Sequence, residues 1–221
     1  VVVMVDQRLP MFFGSRQKMK SVVAAEVAAL TAWRVLAVGD RVGAILFNDH
    51  RSLEVKPTRN QRKTIGWLGD LTTMNNELSV KPANAGNPAG LTNALRLLER
   101  SIGHDYLVVL ISDFHGWNDA ALKTICRINQ HNDIICSLVY DPLESDISGA
   151  NELVVSDGRL QLEINPDEQE LGKKFEESFR SSVAFVQGEL KRHNILVMPV
   201  DTVTPVTRQL REKLGGQRVL Q

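Results

Sequence analysis

Four acidic residues stand where an apolar run stops. Asp6 follows Val1 to Val5, Asp113 follows Leu107 to Ile111 and Ser112, Asp141 follows Ile134 to Tyr140, and Asp201 follows Ile195 to Val200. Carboxylates so placed could hold a hard cation through oxygen ligands or serve metal-assisted phosphotransfer or hydrolysis. They could equally close turns, which strand ends favour. Apolar runs bounded by helix-like segments read as parallel strands buried on both faces. In such sheets the ligand crevice lies outside the carboxyl ends of the strands. Asp6 and Asp113, expected on adjacent central strands, are the leading pair for chemistry.

The elements that must position them are legible as a strand–helix alternation. A helix is expected from about Gln17 to Val38, apolar almost all round and so read as a buried central helix. Gly39-Asp40 ends it. Arg41 to Phe47 forms the next strand, and Ser52 to Lys56 alternates as an edge strand closed by Pro57. Helices follow over Gln61 to Leu71 and Leu91 to Ile102, separated by an Asn-, Gly- and Pro-rich loop from Asn75 to Gly90. Asn118 caps a helix running to Gln130. Glu152 to Ile164 reads as a hairpin turning on Asp157-Gly158. An amphipathic helix spans Glu170 to His193, and a last helix, Val206 to Leu214, stops at Gly215-Gly216. The alternation predicts one α/β domain over residues 1–221: a doubly wound, Rossmann-like, mostly parallel sheet with one antiparallel edge strand and an inserted β-hairpin.

Composition narrows the functions. The 221 residues are 43% hydrophobic and 24% charged, as in ordinary globular proteins. Lys plus Arg and Asp plus Glu both number 26, so the basic footprint of a nucleic-acid binder is missing. No apolar run reaches the roughly 20 residues that span a bilayer, so no membrane insertion by this chain is expected. Cys126 and Cys136 lack metal-ligand spacing and read as buried reduced thiols, which points to a cytoplasmic setting. The chain opens on a core strand with no initiator Met. It therefore reads as a fragment whose missing N-terminal region could carry another domain or a membrane anchor.

Three segments together resemble a von Willebrand factor A domain: the strand ending in Asp6, Gly90-Leu91-Thr92 leading into a helix, and Leu110-Ile111-Ser112-Asp113. In that family these positions build a metal-ion-dependent adhesion site from an Asp-x-Ser-x-Ser motif, a loop threonine and an aspartate. They surround a Mg²⁺ that keeps a coordination position open for an acidic residue of a partner. A narrower resemblance covers nearly the whole chain. Met11-Phe12-Phe13-Gly14-Ser15, Lys20-Ser21, Ala24-Ala25-Glu26 and Gly39-Asp40-Arg41-Val42-Gly43 are similar to a bacterial von Willebrand A-like family of unknown function, commonly encoded beside MoxR-type AAA+ ATPases. That resemblance implies an adaptor or chaperone-like partner of the ATPase, acting on an unknown client, and not an enzyme.

The first motif departs from the pattern. Arg8 and Pro10 occupy the two serine positions. Proline offers no side-chain oxygen, and arginine is a fixed cation with donors only. The expectation is a degenerate site, formed by Asp6, Thr92 and Asp113, with weak or absent Mg²⁺ binding and no other cofactor. Arg8 either pairs with Asp6 or Asp113 and takes over the charge of the metal, or points to solvent. Ser15 lies in the wrong register to replace the lost serines. Thr92 reads as a ligand or as a helix cap. Arg8, His115 and Trp117 are candidates for partner contact; for Trp117 the alternative is packing on the neighbouring helix, and for His115 a structural role. No Gly-x-Gly-x-x-Gly, Gly-Lys-Ser/Thr or Gly-x-Ser-x-Gly motif is present, so dinucleotide binding, ATP hydrolysis and serine-hydrolase chemistry are unsupported. The runner-up function is a metal-assisted hydrolase or phosphotransfer enzyme using Asp6 and Asp113.

Overall fold

The computed structural model describes residues 1–79, 87, 89–145, 153–156, 161–164 and 169–215. In chain order the elements are β1 (Val2–Asp6), a 3-10 turn (Leu9–Met11), α1 (Lys20–Ala37), β2 (Val42–Phe47), β3 (Ser52–Thr58), α2 (Gln61–Glu77) and α3 (Gly90–Ser101). There follow β4 (Leu107–Ser112), α4 (Asp119–Asn129), β5 (Asp133–Tyr140), a short α5 (Pro142–Ser145), β6 (Leu153–Ser156), β7 (Gln161–Ile164), α6 (Gln169–Arg192), β8 (Leu196–Asp201) and α7 (Val206–Gly215).

Six strands form one sheet in the order β3-β2-β1-β4-β5-β8, and β6 pairs with β7 separately. β1 runs parallel to β2 (Asp6↔Phe47) and to β4 (Val5↔Ile111), while β3 is antiparallel to β2. The chain winds outward from β1 in one direction and from β4 in the other. The switch point is thus the gap between β1 and β4, where Asp6 and Asp113 emerge. β1 is buried at every position because its two faces serve two cores. Val3 and Val5 join Val23, Ala24, Val27 and Ala28 of α1. Val2 and Met4 join Leu91, Leu95 and Leu98 of α3 and Ile125 of α4.

The architecture expected from the alternation is the one found, with local corrections. α1 begins at Lys20, not Gln17, and is not buried all round. Val23, Ala24, Val27, Ala28, Ala32 and Val35 face the sheet, while Trp33 is 41% exposed. α2 runs on to Glu77, so the loop expected from Asn75 starts later. Residues 80–86 and 88 of that loop lie outside the described residues. Pro57 does not close β3 but sits inside it, beside a register shift opposite Val42 and Ala44. An edge strand tolerates it, because the missing N–H need not enter the ladder. The hairpin strands pair as expected (Leu153↔Ile164); their turn on Asp157-Gly158 lies outside the described residues. Asn118 caps α4 through its side-chain oxygen, which accepts from Ala121 N at 2.9 Å. Cys126 lies in α4 and Cys136, buried, in β5, both as free thiols.

Candidate functional site

Where β1 ends, the chain turns within one residue. Arg8 is extended (φ −77°, ψ 166°) and enters the 3-10 turn, whose first positions hold Pro10. Proline suits that place because its fixed φ fits the turn and no N–H is needed there. The turn folds Arg8 back onto Asp6. Arg8 Nε and Nη2 donate to Asp6 Oδ1 and Oδ2 at 2.9 and 2.6 Å, and the Arg8 backbone N–H adds a bond to Oδ1 at 3.0 Å. Ser112 Oγ donates to Asp6 Oδ2 at 2.6 Å. Asp6 is fully buried and Arg8 is 1% exposed, with the guanidinium 5.5 Å from the centre of the Phe47 ring. Of the two readings of Arg8, the structure has the paired one.

Room for Arg8 comes from α3. A Cβ on Gly90 would stand 2.8 Å from Arg8 Cδ, so glycine there lets the arginine stem pass. Arg8 Nη2 also donates to the carbonyl of His115 at 3.1 Å, across the gap to the loop after β4. That loop is tightly wound. Phe114 adopts φ +60° and Gly116 φ +79°, with Phe114 N donating to Ser112 Oγ and His115 N donating to Asp113 Oδ1, both at 2.9 Å.

A second cation serves Asp113. Lys20, the first residue of α1 and 2% exposed, donates through Nζ to Asp113 Oδ2 at 2.9 Å and to Glu144 Oε1 at 2.6 Å. Burial alone would raise the Asp113 pKa, but the charges of Lys20 and Arg8 outweigh it and hold the carboxyl at about 2. Burial works against the Lys20 ammonium, yet Asp113 and Glu144 together keep its pKa above the ordinary lysine value. Glu144, also buried, is pushed up by desolvation, with Lys20 only partly opposing.

The remaining strand-end aspartates act as turn formers. Asp141 Oδ1 accepts from Leu143 N at 2.9 Å, and Glu144 Oε2 returns a bond from Asp141 N at 2.9 Å, the reciprocal capping arrangement. Asp141 Oδ2 accepts from Ser15 N at 2.8 Å and Thr202 Oγ1 at 2.5 Å. Asp201 Oδ1 accepts from Val203 N and Thr204 N after β8.

Two expectations are corrected, Arg8 as a partner contact and Thr92 as a helix cap. Arg8 is too deeply buried to touch a partner. Thr92 is not the cap: Ala89 occupies the cap position without a side-chain bond, and Thr92 Oγ1 donates to Asn118 Oδ1 at 3.2 Å. His115 bonds through its backbone while its side chain is exposed. Trp117 packs edge-on against Phe114 at 5.8 Å and stays half-buried, beside an open hollow shared with Phe185 and Glu189. Sequence reasoning missed Lys20 and Glu144 as site residues. Asp141-Pro142-Leu143-Glu144 has capping-box spacing, a signal that stands in the sequence; that Lys20 opens α1, against the helix dipole, is seen only in the structure, where the helix begins later than expected.

The donor set does not suit a magnesium ion. Both Asp6 oxygens are filled by donors and Asp113 Oδ2 is held by an ammonium. A hard dication needs free oxygen lone pairs in near-octahedral order. Hydrolysis from this pair is not favoured either, since each carboxylate is tied to a buried cation.

Residues 1–184 match the family described as "Protein of unknown function DUF58". Among curated proteins, none matches the sequence. Among solved structures, BatB from Bacteroides thetaiotaomicron superposes with a TM-score of 0.60 at 14% identity, over 97% of this chain and 96% of that one. An aerotolerance-related membrane protein from Bacteroides fragilis gives 0.54 at 14% identity, over 98% of both chains. The SpRpn10 VWA domain is a looser match, 0.46 at 11% identity, over 100% of this chain and 97% of that one. At these identities the likeness is one of fold alone, and that fold is the mostly parallel α/β sheet with one antiparallel edge expected from the sequence.

Proposed function

The chain belongs to the DUF58 family of proteins of unknown function, and from that premise we propose that it is a protein-interaction module rather than an enzyme. The observation that carries this reading is the neutralisation of Asp6 and Asp113 by Arg8 and Lys20 at the switch point. A catalytic carboxylate needs access to substrate and a pKa matched to its task; these two are buried and locked. The adjoining rim, by contrast, is open to solvent and carries His115, Trp117 and Phe185, the last 59% exposed. Aromatic side chains are enriched at the cores of protein–protein contacts.

The partner that best fits is a MoxR-type AAA+ ATPase, with this chain as its adaptor toward a client. The support for that pairing is the resemblance of the Phe-Gly-Ser turn, the Lys20-Ser21 start of α1 and Gly39-Asp40-Arg41-Val42-Gly43 to chains encoded beside such ATPases. Because the ATPase needs ATP, the encounter belongs in the cytoplasm. No helix among the described residues is long and apolar enough to cross a membrane.

Co-purification of the chain with a MoxR-type ATPase under ATP tests the reading. A complex is expected, with Trp117→Ala weakening it by about tenfold or more, as for an interface anchor. Failure to form a complex removes the ATPase from the proposal. Turnover of phosphoesters or peptides that Asp6→Asn abolishes would make the chain an enzyme and overturn the reading as an interaction module.

A further inference from the structure

We propose that Arg8 and Lys20 together are a built-in replacement for a divalent cation, so that the upper face of this chain is held in shape without magnesium. The inference concerns the chain's own residues and does not depend on which partner it meets.

Two tethered single charges equal the charge of one dication, and each meets one of the carboxylates a metal would join. Arg8 spans both oxygens of Asp6 with two donors in the planar fork that matches a carboxylate. Lys20 ends on Asp113 and ties it to Glu144. The two cations arrive from different elements, the turn after β1 and the first turn of α1. They do the joining work that a shared ion performs, and His115 O, bonded to Arg8, closes the gap between the loops.

The surroundings are fitted to these side chains. Asp6 Oδ1 accepts from Arg8 N and Nε, and Oδ2 from Arg8 Nη2 and Ser112 Oγ. That fills the roughly four lone-pair positions of a carboxylate. Gly90 leaves out the Cβ that would stand against Arg8 Cδ. Thr92 spends its hydroxyl on Asn118. Lys20 sits where the helix dipole disfavours a cation, a placement explained by its two carboxylate partners. Phe47 and Phe13 lie 5.5 and 5.8 Å from Arg8 and Lys20, adding a π face to each cation. A consequence for recognition follows. With Arg8 and Lys20 at 1% and 2% exposure, no open position remains for a partner's carboxylate, and contact passes to the exposed rim.

Magnesium titration of the chain by calorimetry, with thermal unfolding in MgCl₂ and in EDTA, tests the proposal. The unchanged chain should show no site tighter than ~1 mM and the same melting temperature in both solutions. Arg8→Ser uncovers the Asp6 oxygens and restores one serine of the adhesion motif. Its melting temperature should fall in EDTA and recover in part with MgCl₂, but not with NaCl of equal ionic strength. Arg8→Lys keeps a cation in place, so it should melt at the same temperature in MgCl₂ and EDTA. It also keeps the test open if Arg8→Ser does not fold. Magnesium binding to the unchanged chain tighter than ~1 mM overturns the proposal. So does a magnesium-indifferent Arg8→Ser, or an Arg8→Lys that magnesium stabilises.

Discussion

Lys20 and Arg8 are costly residues to bury, because each ion loses several kcal/mol of hydration. Their carboxylate partners offset that cost only while the pairs stay complete. Truncating one member should therefore cost far more than an exposed ion pair such as Arg51–Glu77, for which about 0–1 kcal/mol is typical. Lys20→Met leaves Asp113 and Glu144 without the ammonium that joins them, and should lower unfolding stability at neutral pH by about 3–5 kcal/mol. Urea denaturation would measure it, and a loss below about 1 kcal/mol would sink the claim that the pair is structurally important. Acid tests the same contact. Asp113 holds its proton less tightly when folded (about 2) than when unfolded (3.8). Its contribution is therefore complete above the unfolded value and disappears as pH falls from 3.8 toward 2. The shift corresponds to roughly 2 kcal/mol. In Lys20→Met the sign should reverse: protonating the stranded carboxylates relieves a buried charge, so the deficit against wild type narrows as pH is lowered.

α1 shows how an element sets the site. Its sheet-facing side is built on small residues, Ala24, Ala28 and Ala32, all fully buried. They bring the helix axis close to the sheet, and Lys20 at its start reaches the end of β4. Gly14 helps to set that start: a Cβ there would stand 2.1 Å from Lys18 O, and Lys20 N donates to Phe13 O at 2.7 Å. Enlarging the buried side should push the helix away. Ala28→Leu is expected to cost about 1–3 kcal/mol by overpacking, whereas Trp33→Ser, on the solvent side, should stay within about 0.5 kcal/mol. Chemical denaturation of both variants would check the contrast, and equal losses would mean that α1 is buried all round after all.

Across the whole molecule the sheet is anchored at its centre and thins toward its edges. β1 and β4 are covered on both faces, while β3 alternates between exposed and half-buried positions. Opening of the structure should follow that gradient. Hydrogen exchange is expected to be slowest at the amides of β1 and β4 and much faster in β3; protection of β3 equal to that of β1 would contradict it. The site sits where two of these covered central strands end, so its carboxylates are carried by the rigid part of the sheet.

The sequence by itself determined the strand–helix alternation, the antiparallel edge, the hairpin strands and the Asn118 cap, because each is written in local periodicity or capping chemistry. It also marked Asp6 and Asp113 as a pair, and the resemblance to the von Willebrand A pattern singled out Arg8 and Pro10 as departures from that family's metal site. It left open whether Arg8 turns inward. That depended on space beside Gly90, on Phe47 from β2 and on the His115 carbonyl, three groups that only the tertiary fold brings together. Glu144 stood in the chain with a visible capping signal and Lys20 with none, and their meeting with Asp113 joins residues from α1, α5 and the end of β4. No local pattern specifies such a contact. Long-range electrostatic partners are chosen by which side chains the packed sheet leaves within reach, and here that choice placed two buried cations beside the strand-end aspartates.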